Sequence, residues 1–190
     1  MSLFELYLRL GFKHIIDING YDHIVFILAL CAAYTFTQFR KILILVTAFT
    51  IGHSVTLALS TLKLVIIRAD IIEFLIPLTI LITAISNLFV SNKSKIQFVY
   101  LLTLFFGLIH GLGFSNYLNE LLGKESSIVT PLLAFNIGLE IGQILIVTIQ
   151  FIVLFQLTKI FRMNHKNWRI FISGAAAGIA AILILENKFW

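Results

Sequence analysis

The chain has 190 residues, 59% of them hydrophobic and 12% charged, with a formal net charge of +5 and a mean hydropathy of +1.01. Soluble domains carry about a quarter charged residues, so a soluble domain of this size is excluded. The 14 Lys and Arg residues are spread in twos and fours between apolar runs, which excludes a basic nucleic-acid groove and reads instead as membrane topology.

In chain order, residues 2–18 are amphipathic, with Glu5, Arg9, Lys13, His14 and Asp17 interrupting the apolar positions. They lack the unbroken apolar centre and small-residue cleavage site of a signal peptide. The pattern predicts an N-terminal amphipathic helix, lying in the interface or forming a seventh membrane helix. Gly20 marks its break. Membrane spans are then predicted at about 20–37, 42–62, 71–90, 96–114, 130–157 and 168–185, since about 20 helical residues cross a core of ~30 Å. The expected fold is therefore an all-α membrane protein, a bundle of about six transmembrane helices in one integral domain over residues 1–190. Pro131 fits the first turn of its helix, whereas Pro77 falls inside the third span and should kink it. The single cysteine, Cys31, lies mid-run as a small apolar residue.

Charge sets an expected orientation. Arg40, Lys41, Lys93, Lys95, Lys159, Arg162, Lys166 and Arg169 fall on one side, and Arg9, Lys13, Lys63, Arg68, Lys124 and Lys188 on the other. The excess places the loops near 37–42, 90–96 and 157–168 in the cytoplasm and both termini outside. A multi-pass protein of a bacterial inner membrane is the expected setting, with the lipid bilayer and a metal ion as partners and no nucleic acid.

Ionisable groups inside these runs single themselves out, because a charge at mid-bilayer costs at least ~2.5–3.5 kcal/mol on insertion scales. They are Asp22 and His23, His53, His110 and Glu140. At ~1.5 Å per residue, His53, His110 and Asp22 stand about 16, 21 and 26 Å above the cytoplasmic ends of their spans, and Glu140 about 14 Å below the outer end. All lie between the middle and the outer face, so a shared site is expected. Asn136, Glu140 and Gln143, spaced i, i+4, i+7, form one polar stripe. Asp22 and His23 diverge by about 100°, so one should ligate while the other orients it or a neighbour. Glycines flank these groups at 52, 107, 111, 113, 138 and 142, where they permit close helix packing. Each residue also has an ordinary role open to it: a lone His can be a hydrogen-bonded packing residue, Ser and Thr usually bond their own helix, and Asn and Gln join helices. His14 and His165, in flanking positions, fit that ordinary reading. Three imidazoles with carboxylates suit a divalent transition metal such as Ni²⁺, Zn²⁺ or Co²⁺, and would equally serve a proton relay.

Four stretches carry a family resemblance: Gly11-Phe12-Lys13-His14-Ile15 leading to Gly20-Tyr21-Asp22-His23; Phe49-Thr50-Ile51-Gly52-His53-Ser54-Val55-Thr56-Leu57; His110-Gly111-Leu112-Gly113-Phe114; and Phe135-Asn136-Ile137-Gly138-Leu139-Glu140-Ile141-Gly142-Gln143. Over about residues 10–145 the chain resembles the HupE/UreJ family of small multi-pass membrane proteins. The resemblance implies nickel supply to hydrogenase or urease, by permeation, with His14, Asp22, His23, His110, Glu140 and His53 as the His-and-acid set. Seven residues separate His14 from Asp22 where better-known nickel members have five between the equivalent pair, which marks a divergent branch.

Three functions follow as expectations. The leading one is a permease for a nickel-like divalent cation, using His23, His53, His110, Asp22 and Glu140, with His14, Asn136 and Gln143 in support. An intramembrane zinc-dependent hydrolase would need Asp22 or Glu140 as general base and Ser54 to steady an oxyanion. A structural or metal-delivery subunit is the third. Small size and glycine-rich faces make a homo-oligomer compatible with any of them.

Overall fold

The structure is a computed structural model and describes residues 2–89, 96–122 and 128–189. Those residues form seven α-helices: α1 (Leu3–Ile15), α2 (Asp22–Ala32), α3 (Phe39–Thr61), α4 (Ala69–Leu88), α5 (Ile96–Leu122), α6 (Val129–Lys159) and α7 (His165–Glu186). Lys93, Lys95 and Lys124, counted for topology, lie outside the described residues, as does Val90 at the end of the third expected span.

Five segments are long and apolar enough to cross a membrane: Phe36–Thr61, Ala69–Leu88, Ile96–Ser115, Val129–Lys159 and His165–Glu186. The expected span at 20–37 is instead the 11-residue α2, only about 16 Å long and half a bilayer core. A turn closes it early: the Tyr34 amide bonds the Cys31 carbonyl, and a 3-10 turn at Phe36–Gln38 with a Thr35/Gln38 capping box leads straight into α3.

Before α2 in the chain comes α1. Ser2 caps it and Arg9 pairs with Glu5 one turn away, at 2.7 Å, so the helix is well started. Tyr7, Gly11 and Ile15, spaced by four, are its buried stripe. It packs along α6. A Cβ on Gly11 would overlap the Phe135 carbonyl, and one on Gly138 the Leu8 carbonyl, so only glycine lets the two backbones touch. Further along α6, Gly142 meets Ile15 and Gln150 donates to the Leu28 carbonyl at 3.0 Å. Thus α1 and then α2 follow α6 in the same direction, separated by the segment 16–21. They are the two halves of one interrupted helical path.

The remaining helices close around α2. Glycine contacts also bring α3 and α5 together, as described below. Asn87 of α4 donates to the Ala29 carbonyl of α2 at 2.7 Å and to Ser173 of α7 at 3.3 Å. Pro77 stands inside α4, as expected, so the Glu73 carbonyl receives no helical N–H from that position. Pro131 lies in the first turn of α6. The surface is apolar through the middle of the bundle, with Leu101, Phe105, Ile149, Ile152 and Phe171 exposed as lipid-facing residues would be.

The two ends differ in charge. Arg40, Lys41, Lys159, Arg162, Lys166 and Arg169 sit at the end holding the N-termini of α3 and α7, with no carboxylate beside them among the described residues. Asp17, Asp22, Asp70, Glu73 and Glu186 sit at or towards the other.

Candidate metal centre

The break between α1 and α2 positions the site. His14 comes from the last turn of α1, and Asp22 and His23 from the first turn of α2. Facing them, His53 comes from the middle of α3 and His110 from the middle of α5. The last two are held at close range by glycine. A Cβ on Gly52 would collide with the Leu104 carbonyl, and one on Gly111 with the His53 carbonyl and the Thr56 hydroxyl. Any larger residue would push α3 and α5 apart and separate the two rings.

The four imidazoles converge. Ring centroids are 4.6 Å apart for His14 and His23, 5.8 Å for His14 and His53, 6.0 Å for His23 and His53, and 5.0 Å for His23 and His110. The ligating atoms of His14, His23 and His53 all lie within 4.8 Å of one another, as do those of Asp22, His23 and His110, so His23 belongs to both groups. Phenylalanines wall the cluster: Phe135 stacks on His53, Phe114 lies against His14, and Phe26 and Phe49 against His110.

Hydrogen bonds decide which nitrogens are free. Asp22 Oδ1 accepts from the His23 backbone amide at 2.9 Å and lies 3.1 Å from His23 Nδ1. A carboxylate only accepts, so Nδ1 carries the proton and Nε2 presents its lone pair. For His110 the fixing group is Thr79. Its hydroxyl donates to the Ile76 carbonyl at 2.7 Å, which uses its one proton. It therefore accepts from His110 Nε2–H at 2.9 Å and leaves Nδ1 bare. His14 Nε2, His23 Nε2, His110 Nδ1 and both nitrogens of His53 are buried with no hydrogen-bond partner. Buried polar atoms are nearly always satisfied, so this many orphaned nitrogens in one place fits a cation between them. Neighbouring ligands at ~2.0–2.1 Å from one ion stand roughly 3–3.5 Å apart, closer than the 4.8 Å that bounds each group, and His110 is grouped with His23 and Asp22 rather than with His14 and His53.

Two clefts at the carboxylate-bearing end approach the cluster, one at Asp22 and the other at His14, while His23, His53 and His110 stay buried. One, of about 420 Å³, is lined by Asn19, Asp22, Glu73, Pro77 and Asn187; the other, of about 810 Å³, by Lys13, His14, Asp17 and Phe114.

Other residues expected at the site take different places. Glu140 accepts from Thr47 at 2.6 Å and Gln143 from Thr50 at 2.8 Å, across the α3–α6 contact. The face that carries this stripe therefore meets α3, and Glu140 is in neither ligand group. Phe135 marks the cluster's level on α6, and Glu140 is five residues beyond it, about 7.5 Å along the helix. Asn136, on the same face, has a buried Oδ1 without a partner. Ser54 donates to its own helix at the Thr50 carbonyl, 2.6 Å away. His165 meets the Tyr34 carbonyl at 3.1 Å, in keeping with its ordinary reading. His14 departs from that reading and stands in the cluster. Thr79 is a residue that the sequence does not single out, although Thr79, Thr83 and Asn87 at i, i+4, i+8 form a polar line that could draw attention.

Fold and site together define a multi-pass, all-helical membrane protein with a buried histidine cluster able to hold a metal ion. The chain belongs to the HupE/UreJ family: the family model described as HupE / UreJ protein matches residues 1–187. No curated protein and no solved structure matches it.

Proposed function

We propose that this chain is a permease for a divalent transition-metal cation of the nickel and cobalt type. The observation that carries the reading is the pair of ligand groups that share His23, with unpartnered nitrogens of His14, His23, His53 and His110 buried together. The family's association with nickel and cobalt uptake agrees with it. In this reading α1 and α2 together make a sixth crossing, broken at the site. Interrupted helices of that kind bind ions in other transporters, because the break exposes backbone and side-chain ligands at mid-depth.

The chemistry follows from the ligands. Carboxylates at Asp17, Asp22 and Glu73 raise the local cation concentration at the clefts. His14, His23, His53 and His110 then replace the water that the cation sheds. Asp22 and Thr79 hold two of the rings in the tautomer that points a lone pair inward, so the site is prepared before the ion arrives. Neutral imidazoles with one carboxylate leave a bound divalent cation incompletely neutralised, which favours release over storage.

A hydrolase is less well supported. The Ser54 proton is engaged within its own helix, Asp22 Oδ1 is taken up by His23, and Glu140 accepts from Thr47.

The test is uptake of Ni²⁺ and Co²⁺ into proteoliposomes, with His23→Ala as control. The reading requires uptake above protein-free vesicles that the substitution abolishes. Wild-type vesicles that take up neither ion would refute it.

A further inference from the structure

On the far side of the cluster from the two clefts lies a third, of about 390 Å³, at the basic end between α2, α4, α5 and α7. Thr83, Ser86, Asn87, Thr103 and Phe106 are in its wall. Two helix faces run from it towards the histidines. On α5, Thr103, Phe106 and His110 share a face at i, i+3, i+7; on α4, Asn87, Thr83 and Thr79 share one at steps of four. Thr79 ends the second line with its bond to His110.

These lines are polar except where two rings cross them. Phe26 lies 5.1 Å from the His110 ring, and Phe106 lies 6.1 Å from Phe26. Phe26 is fully buried and Phe106 nearly so, yet Phe106 also faces the cleft. Beyond the rings, Thr83 and Thr103 donate their protons to carbonyls of their own helices, Thr79 and Val99, each at 2.8 Å. Their oxygen lone pairs are thereby left for a cation. Exposed Lys41 and half-buried Arg169 also line the cleft, where their charge opposes recapture of a cation already released.

We infer that this cleft is the exit vestibule for the transported cation and that Phe106, backed by Phe26, is the gate between it and the histidine cluster. The inference rests on the permease reading. In the state described here His23, His53 and His110 are buried, the acidic-end clefts touch only Asp22 and His14, and movement of the Phe106 and Phe26 rings joins the cluster to the basic-end cleft. A packed core would need no polar lining on the far side of the rings.

The test uses Thr83→Cys in a Cys31→Ala background, folded and reconstituted before modification. A cationic thiosulfonate reagent is applied from the basic side, and Ni²⁺ flux is measured before and after. The expected result is complete labelling, flux reduced to the protein-free rate, and Ni²⁺ binding to the labelled protein in detergent unchanged. Phe106→Ala should accelerate downhill Ni²⁺ flux while leaving binding as in the wild type. Full labelling with unchanged flux would overturn the inference, and so would failure of the introduced thiol to label. In both cases an unmodified protein that still carries Ni²⁺ leaves the permease reading standing. Absence of flux in the unmodified wild type would instead remove both.

Discussion

Thr79 has a single hydroxyl proton, and the Ile76 carbonyl holds it. That small fact sets the His110 tautomer, so Thr79→Val should weaken Co²⁺ binding by about 10–100-fold, the usual cost of losing a group that orients a ligand. Thr79→Ser should restore it. Titration calorimetry on the purified protein checks both, and equal affinities for Val and wild type would count against the tautomer assignment. Acid should act on the same rings, since each must be neutral to ligate. Binding should therefore be lost in acid, and calorimetry at a series of pH values reads that loss. The same residues show what sequence can reveal. His23, His53 and His110 were legible because an imidazole in an apolar run has few other reasons to be there. His14 came only from the family resemblance, since its amphipathic segment reads as interfacial and its burial depends on Gly11 and Gly138 bringing α1 against α6. Thr79 was hidden, because a membrane threonine ordinarily bonds its own helix and only the α4–α5 contact gives it a second partner.

At the scale of the element, the interrupted α1–α2 path and the α3–α5 contact share a device, glycine at a backbone crossing. Helix existence and most boundaries followed from hydropathy, which depends on composition along one segment. Which helices touch depends on shape, and the shortened α2 could not be inferred without seeing α1 continue its line. Gly111→Leu is expected to destabilise the bundle by at least ~1–3 kcal/mol, as overpacking does. A lower unfolding temperature in detergent, with Co²⁺ binding lost, checks this; wild-type stability would contradict the close contact. The α6 stripe makes a contrasting prediction. Glu140 bonds Thr47 and stands apart from the rings, so Glu140→Gln should bind Co²⁺ as the wild type does. A large loss of affinity in calorimetry would place Glu140 among the ligands after all.

Across the whole molecule, charge and access run in one direction. Clefts at the end with Asp17, Asp22 and Glu73 come as far as Asp22 and His14, while aromatic rings lie between the cluster and the cleft that Lys41 and Arg169 line. Basic residues collect on the cytoplasmic side of membrane proteins, so within the proposed permease reading this polarity predicts movement inwards. The central claim is narrower than transport: His14, His23, His53 and His110 hold one divalent cation together. Its most direct test is the absorption spectrum of Co²⁺ added to the purified protein, beside the four single His→Ala variants. The account predicts one saturable site with nitrogen-ligand bands, altered or lost in each variant. A spectrum left intact by any two of the four substitutions would contradict it.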